Sequence, residues 1–418
     1  MSQSLLLSCL ERHLPEGLDL LQKLVEINSY TENREGVNRV GCATAEAFAP
    51  LGFKAEFVPS TNPGWGDHLV MCRAGSSADI VGMVSHLDTV FPPDEEARNG
   101  FHWLREGDRI YGPGTQDIKG GTVMIWMVLA ALRDVAPVIF ERATWKLFWN
   151  SSEEALSHDF GEVCRQRLGR AARAALVFEA EGRGERVSRL VVARKGRATW
   201  RLRVSGRGAH AGGKHAWGAN AVVQLAESVR QVAALTNPAR HLTFNVACVS
   251  GGVGLNRVPH EAAAEGEFRA FTPEVYAGAK SALLALAGPG LVASTADGYR
   301  CQVGVEILGE SRPWPRNAAT DRLLAIWQQA ARELGVSIGS EERGGLSDGN
   351  LLWDAVPTLD GLGPYGENDH CSERSADGRK VPEFVEVSSF VPKAALNVTA
   401  LLGMLESTIG PASGRDRS

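Results

Sequence analysis

Several histidine and carboxylate residues follow directly after short apolar segments, where they could bind metal ions and activate water. In chain order these residues are His86, Asp117, the adjacent pair Glu153 and Glu154, and Glu179. Metal-assisted hydrolysis needs imidazole and carboxylate ligands that converge from several strand ends, with one position left for water. In the Glu153–Glu154 pair, one carboxylate can bind metal while the other transfers protons. Asp88, two residues after His86, can accept the second ring N–H and fix the tautomer of that histidine.

Each of these residues also has an ordinary structural explanation. A single histidine after a strand is commonly a hydrogen-bonded core or surface residue, and a Glu-Glu pair is typical of a solvated helix start. The glycine-rich segment Gly112–Gly121 around Asp117 could be a simple turn, and it lacks the Lys-Ser/Thr ending and the glycine spacing of nucleotide-binding loops. The combination is more specific, because four separate segments carry such ligands in order.

The apolar segments themselves predict the elements that position these residues. Ile80–Ser85, Thr144–Trp149 and Ala175–Phe178 are short apolar runs separated by helical stretches such as Gly121–Arg133. This pattern is typical of buried parallel strands in an α/β sheet. Open α/β sheets place their functional sites at the carboxyl ends of the strands, which is where the acidic and histidine residues fall.

The pattern changes near residue 190, which indicates an inserted domain. Strand and helix patterns then alternate in the order strand–helix–strand–strand–helix–strand, which is typical of a ferredoxin-like α+β sandwich. We therefore predict a discontinuous catalytic domain over residues 1–190 and 312–418, with an inserted lid and dimerisation domain over 191–311.

Composition excludes several functional classes. The 418 residues carry a net charge of −5, which gives no electrostatic footprint for nucleic acid or an anionic membrane. Seven cysteines without a CxxC pair argue against a disulfide framework or a structural zinc finger. No apolar run is long enough to predict a membrane span, and the first residues lack the basic start of a secretory signal. We expect a soluble, cytoplasmic globular protein.

Seven segments of the sequence also resemble a known family. They are SHLDTV, GPGTQDIKGG, NSSEE, VFEAEG, GRGAHAGG, GGVGLNRVP and GGLSDGN. Together they are similar to the metallopeptidase family of glutamate carboxypeptidases, aminoacylases, acetylornithine deacetylases and succinyl-diaminopimelate desuccinylases. The bacterial glutamate carboxypeptidase-like branch is the nearest. The match runs in order over nearly the whole chain.

The resemblance implies a role for each site residue. The implied metal ligands are His86, Asp117, Glu154, Glu179 and His370. Asp117 would bridge two ions, His86 would bind the first and His370 the second, and the two glutamates would bind one ion each. Glu153 would be the general base that takes a proton from the metal-held water and returns it to the leaving nitrogen, and Asp88 would support His86. One or two divalent ions per chain are expected, and Zn²⁺, Co²⁺ and Mn²⁺ all suit such ligands.

Residues of the inserted domain are implied to bind the substrate. His210 matches a family histidine that reaches the partner subunit's site and stabilises the oxyanion, so a homodimer or larger homo-oligomer is expected. Asn256 matches a residue that helps to hold the substrate. Arg343 and Arg269 are candidates for binding a substrate carboxylate, because the guanidinium fork binds such groups bidentately.

Three segments depart from the family pattern. Ala155–Asp159 follows the glutamate pair where the family has Gly-Ser and a shorter loop. Glu181 stands two residues after Glu179 and is a second candidate ligand. The link Cys371–Pro382 between His370 and the acidic-aromatic-valine segment is longer than usual, and it adds the cations Arg374, Arg379 and Lys380.

Three functional hypotheses remain open at this point. The leading one is a metal-dependent hydrolase of an amide bond, which releases an amino acid or related carboxylate from a small substrate. An altered site after His370 could instead deaminate an aromatic amine or hydrolyse a small conjugate. The third hypothesis is a binding protein on the same fold that has lost its catalytic activity, against which the intact Glu153 and its neighbouring ligands argue.

Overall fold

The structure is a computed structural model that describes residues 2–155, 157–184 and 187–406. The described chain divides into two compact units. The first is drawn from Met1–Val192, Arg316–Glu342 and Ser347–Ser418, and the second from Ala193–Pro315 and Arg343–Leu346.

The first unit contains most of the secondary structure. Its elements up to residue 194 are α1 (Gln3–Val25), α2 (Arg34–Phe48), β1 (Lys54–Val58), β2 (His68–Arg73), β3 (Ile80–His86), α3 (Pro93–Asn99), β4 (Leu104–Glu106), β5 (Arg109–Tyr111), α4 (Gly120–Val135), α5 (Pro137–Arg142), β6 (Thr144–Asn150), α6 (His158–Leu168), β7 (Ala174–Val177), β8 (Gly182–Gly184) and β9 (Val187–Arg194).

The second unit follows directly in the chain. Its elements are β10 (Gly196–Ser205), α7 (Ala221–Ala233), β11 (Thr243–Gly251), β12 (Glu261–Ala270), α8 (Pro273–Leu284), β13 (Gly288–Ala293) and β14 (Arg300–Ser311). The chain then completes the first unit with α9 (Ala318–Glu333), β15 (Ile338–Arg343), β16 (Thr358–Leu359), β17 (Gly366–Glu367), β18 (Phe384–Glu386) and α10 (Phe390–Glu406).

The main sheet of the first unit has the order β1-β2-β6-β3-β7-β16. β6, β3, β7 and β16 are parallel to one another. β2 pairs antiparallel with β6, and β1 pairs antiparallel with β2, so β2 alone runs against the other strands of this sheet. The central strands are apolar on both faces because helices cover them, as Met83 and Leu147 illustrate with no exposed surface. This mixed, mostly parallel sheet confirms the predicted α/β class.

Helix α4 forms the centre of the helical layer. Residues 120–132 of this helix are all buried, which is the behaviour of a helix that is apolar on every side. α4 packs against α1 and α10. The stretch Val387–Glu406, which includes α10, is long and apolar enough to span a membrane by length and composition alone, but 67% of it is buried inside the protein. We therefore assign α10 to the core.

The second unit is built on an antiparallel sheet with the order β11-β12-β10-β14-β13. Helices α7 and α8 cover one face, and their apolar side chains form a core of their own with those of the strands, centred on Trp200 and Phe268. A separate antiparallel sheet insert was expected from the strand and helix order, and the structure contains one.

Candidate metal centre

Three neighbouring parallel strands end at one edge of the main sheet and carry the predicted ligands there. β3 ends at His86, β6 ends at Asn150 just before Glu153 and Glu154, and β7 is followed two residues later by Glu179. Because carboxyl ends of adjacent parallel strands meet at the same edge, these side chains converge.

Asp117 lies between two histidine rings and contacts one with each carboxylate oxygen. Its Oδ1 is 3.0 Å from Nε2 of His86, and its Oδ2 is 3.4 Å from Nε2 of His370. Asp117 is held in the irregular turn Thr115–Lys119 at the start of α4. One carboxylate facing two imidazoles in this way is suited to bridging two metal ions.

The other two candidate ligands, Glu154 and Glu179, each lie near one of the two histidines that contact Asp117. Glu154 Oε2 is 3.3 Å from Nε2 of His370, and Glu179 Oε1 is 3.9 Å from Nε2 of His86. Donor atoms of His86, Asp117 and Glu154 all lie within 4.8 Å of one another. The structure therefore brings together all five residues that the sequence proposed as ligands.

The electrostatics of the site fit divalent cations. Burial, followed by the nearby charge of Asp117, raises the pKa of Glu154 to about 7. Hydrogen bonds to Asp117 and Glu154 raise the pKa of His370 to about 11. Glu154 Oε1 is buried and has no hydrogen-bond partner in the described part of the chain. Two imidazoles and three carboxylates, one of which has an oxygen without a hydrogen-bond partner, form a donor set that suits Zn²⁺, Co²⁺ or Mn²⁺.

Glu153 lies next to this donor set. Burial raises the pKa of its carboxyl well above the usual value, against the influence of the charged His86 ring, and Glu154 and Asp348 raise it further. Glu153 does not belong to any ligand group found among the described residues, whereas Glu154 does. Glu154 is therefore placed as a metal ligand, whereas Glu153 is placed as a proton-transfer group with a raised pKa.

Asp88 positions both the glutamate pair and the ring of His86. Its Oδ1 accepts the backbone N–H of Glu153 (3.0 Å), and its Oδ2 accepts those of Glu154 (3.3 Å) and the hydroxyl of Thr31 (2.6 Å). The ring Nδ1 of His86 bonds to the backbone oxygen of Asp88 at 3.0 Å and lies 3.5 Å from the carboxylate. The His86 ring N–H thus donates to the backbone carbonyl of Asp88 in place of the expected carboxylate, because that carboxylate accepts the N–H groups of the turn.

The sequence did not assign a role to Glu383, which positions Asp117. This carboxylate is completely buried, and its Oε1 accepts the backbone N–H groups of Gln116 (2.8 Å) and Asp117 (3.1 Å). Its place directly before the aromatic-valine pair of β18 was the available signal. Glu383 holds the turn that presents the Asp117 carboxylate.

We expect Glu383→Leu to raise the dissociation constant for the bound metal by about 10- to 100-fold, the range found when residues that orient metal ligands are lost. Glu383→Gln should stay within about 3-fold of the wild type, because an amide oxygen can still accept both N–H groups. Competition with a chromophoric chelator measures both constants. Equal metal dissociation constants for the two variants would show that the hydrogen bonds from the turn to Glu383 do not contribute to metal binding.

His210 and Asn256 lie on adjacent exposed loops of the second unit. Nδ1 of His210 accepts the backbone N–H groups of Gly212 (3.1 Å) and Gly213 (3.0 Å). Ala211 N donates to the backbone oxygen of Asn256 at 2.9 Å. Because Nδ1 is an acceptor, the neutral ring carries its proton on Nε2, which makes His210 a hydrogen-bond donor at its outer end.

The two candidate arginines also belong to the second unit. The guanidinium of Arg269 binds both carboxylate oxygens of Glu267, with Nε 2.7 Å from Oε1, and donates to the backbone oxygen of Gly344. Arg269 is therefore already engaged by a carboxylate of its own strand, which weakens its assignment to a substrate carboxylate. Arg343 accepts the backbone N–H of Lys195 through its carbonyl oxygen.

Glu181, the second candidate ligand, is part of a buried ion pair. Its Oε2 lies 3.0 Å from Nζ of Lys393 on α10 and also accepts the hydroxyl of Ser188. Both charged side chains are almost completely buried. Glu181 is therefore occupied by a structural ion pair, and Glu179 is the ligand candidate of this segment.

We expect Lys393→Met to lower the free energy of unfolding by about 3–5 kcal/mol, because it leaves the Glu181 carboxylate buried without its cation. The double variant with Glu181→Leu should recover most of this loss, since an apolar pair replaces the ion pair. Urea unfolding measures both effects. Metal content should remain that of the wild type in the double variant, and a loss of metal there would return Glu181 to the ligand set.

The cations of the long link after His370 are each beside a carboxylate. Arg374 Nη1 lies 3.0 Å and 2.9 Å from the two oxygens of Glu106, and Lys380 Nζ lies 2.7 Å from Glu373. Arg379 Nε is 3.5 Å from a neighbouring aspartate. Their charges are balanced locally, so these cations give no specific support for an altered substrate.

Comparisons with known proteins agree with this fold. The sequence model described as Peptidase family M20/M25/M40 matches residues 82–394. Carboxypeptidase G2 of Pseudomonas sp. (strain RS-16) is 28% identical over 255 residues, which are 61% of this chain and 60% of that protein. The match thus spans less than two thirds of the relative.

Solved structures extend the similarity to the whole fold. A tripeptidase from Staphylococcus aureus has a TM-score of 0.73 at 20% identity, with 94% of this chain and 99% of that chain covered. The YxeP protein of Bacillus subtilis, a dinuclear metal-binding peptidase of the M20 family, has a TM-score of 0.64 at 13% identity, with 95% and 99% covered. At these identities the similarity shows a shared fold.

Proposed function

The chain belongs to peptidase family M20/M25/M40, and on that premise we propose that it is a dinuclear metallopeptidase that hydrolyses an amide bond next to a free carboxylate. The products would be an amino acid or related carboxylate and the remainder of a small N-acyl or peptide-like substrate. This proposal rests on the position of Asp117, whose two carboxylate oxygens each contact one histidine ring. Glu153, which belongs to no ligand group found among the described residues, is available as the base.

The residues present would form two metal sites that share Asp117. His86 and Glu179 would complete one site, and His370 and Glu154 the other. Divalent cations bound there would lower the pKa of a water molecule and polarise the scissile carbonyl.

Glu153 would move the proton in this reaction. Its carboxylate would accept a proton from the attacking water and then donate it to the leaving nitrogen, so that the C–N bond breaks as the amine forms. Asp88 holds the backbone of Glu153 at the metal edge of the sheet, which fixes where that proton is accepted.

Residues of the second unit would bind the rest of the substrate. His210 would donate from Nε2 to the oxygen of the tetrahedral intermediate in the partner subunit's site, and its acceptor role at Nδ1 supports this. Asn256 and Arg343 would hold the substrate and its carboxylate, and a homodimer would form through this unit. The metal would be Zn²⁺, Co²⁺ or Mn²⁺.

Metal content and substrate preference test this proposal together. Protein purified without chelator should contain close to two ions per chain, lose activity on chelation and regain it with Zn²⁺, Co²⁺ or Mn²⁺. N-acyl amino acids should be hydrolysed at least about 10-fold faster, in kcat/KM, than the same amides without the carboxylate, as one charge-assisted contact would give. Turnover confined to arylamines would favour the deaminase alternative. Tight binding of these substrates without turnover would favour a binding protein.

A further inference from the structure

The turn that carries the glutamate pair has an unusual set of hydrogen bonds. All four successive backbone N–H groups from Ser151 to Glu154 are accepted by side chains. Ser151 N donates to His68 Nδ1 (3.1 Å) and Ser152 N to Asn150 Oδ1 (3.1 Å), while Asp88 accepts the next two. These bonds replace the backbone partners that a sheet would supply.

Of the three acceptor residues, His68 is the most distant in sequence from the turn. It is the first residue of β2, is completely buried, and packs with its ring 5.2 Å from that of Phe160. Because Nδ1 accepts the Ser151 N–H, the neutral ring must carry its proton on Nε2. That nitrogen lies 3.3 Å from Oδ2 of Asp159 and forms no hydrogen bond among the described residues, so the carboxylate acts on its N–H as a nearby charge.

Asp159 is itself fixed in place. Its Oδ2 accepts the backbone N–H of Thr61 (2.7 Å) and the hydroxyls of Thr61 and Ser60 (3.1 Å each). It lies at the end of the segment Ala155–Asp159, where this sequence departs from the family pattern. The departure thus supplies the carboxylate that faces His68.

A serine, a histidine and an aspartate in contact could also suggest a hydrolase triad. Ser151 has no exposed surface, and its hydroxyl donates to the backbone oxygen of Gly66 at 2.7 Å. A nucleophile needs an accessible oxygen near substrate, and this one has none. The three residues therefore act on the turn.

We propose that His68, with its ring oriented by Asp159, is a positioning residue that fixes the turn carrying Glu153 and Glu154. This inference rests on the proposed function of the two glutamates. Without the acceptor, the buried Ser151 N–H would be unsatisfied, and the turn would shift to satisfy it. A shift of this kind displaces the base from the attacking water and one ligand from its metal.

The test compares two side chains of nearly equal shape at position 68. His68→Asn places an amide oxygen where Nδ1 was, and His68→Leu places a methyl group there. We expect the leucine variant to lose about 10- to 100-fold in kcat with KM within about 3-fold, as a small misplacement of a catalytic group does. The asparagine variant should stay within about 3-fold of the wild type in both parameters.

Metal affinity provides a second readout that does not need turnover. His68→Leu should raise the metal dissociation constant by about 10-fold, because Glu154 lies on the same turn, and His68→Asn should restore it. Equal behaviour of the two variants in kcat and in metal affinity would overturn the inference and leave only a packing role against Phe160. If His68→Leu does not fold, His68→Gln, which moves the carbonyl one methylene farther, takes its place in both comparisons.

The two proposals fail in different ways. A wild type that hydrolyses no amide with any metal would contradict the proposed function, while the metal-affinity comparison would still decide the role of His68. An active wild type with indistinguishable asparagine and leucine variants would contradict only the role of His68.

Discussion

Glu153→Gln is expected to lower kcat by about 10²- to 10⁴-fold, the usual contribution of a general acid–base group. The amide fills the same space but cannot accept the proton of the attacking water. Metal content should remain at the wild-type value, since Glu153 lies outside the ligand groups found among the described residues. Steady-state kinetics and metal analysis of the same preparation measure both quantities.

The matched control is Glu162→Gln on helix α6. That carboxylate is exposed and accepts a hydrogen bond from Gln166, so its loss should change kcat by less than 2-fold. If Glu153→Gln retains activity within about 10-fold of the wild type, another group accepts the proton. If it loses metal instead, Glu153 is a ligand.

Asp117→Asn should reduce the metal content from two ions to at most one and lower kcat by about 10³-fold, since the loss of a bound metal removes several kcal/mol of transition-state stabilisation. An amide has only one oxygen to offer, whereas Asp117 directs one oxygen to His86 and the other to His370. Metal analysis after dialysis, together with kinetics at saturating metal, measures the change.

Asp369 gives the control for this substitution. It is exposed, precedes His370 in the chain, and its donor atoms lie within 4.8 Å of those of Asp117 and His370. Asp369→Asn should keep both ions and most of the activity if Asp117 is the bridge. A loss of metal as large as that of Asp117→Asn would show that Asp369 supplies a bridging or second-site oxygen.

Residues at strand ends were predictable because a simple rule positions them. His86 and Glu179 follow apolar runs, and such runs form parallel strands whose carboxyl ends share an edge. The sequence therefore identified the edge and most of the donors. It also indicated the second antiparallel sheet from the order of strands and helices alone.

Contacts between distant segments were not predictable in this way. His370, which was implied by the family resemblance and not by a strand pattern, is in a loop with a backbone φ of 63°, a conformation that no apolar periodicity reveals. Glu383 bonds to Gln116, which is 267 positions earlier, and His68 lies on a strand that extends the sheet antiparallel to its parallel part. Such bonds depend on tertiary packing, and a single sequence contains no local pattern that encodes them.

The contacts of Asp88 limit how this enzyme can be varied. One residue holds the His86 ring through its backbone and the glutamate turn through its side chain. In a library randomised at this codon, nearly every change should damage metal binding and proton transfer together, so survivors should encode aspartate. Variants with a new substrate range should instead arise in the second unit, because Asn256 and Arg343, which are proposed to hold the substrate, belong to it.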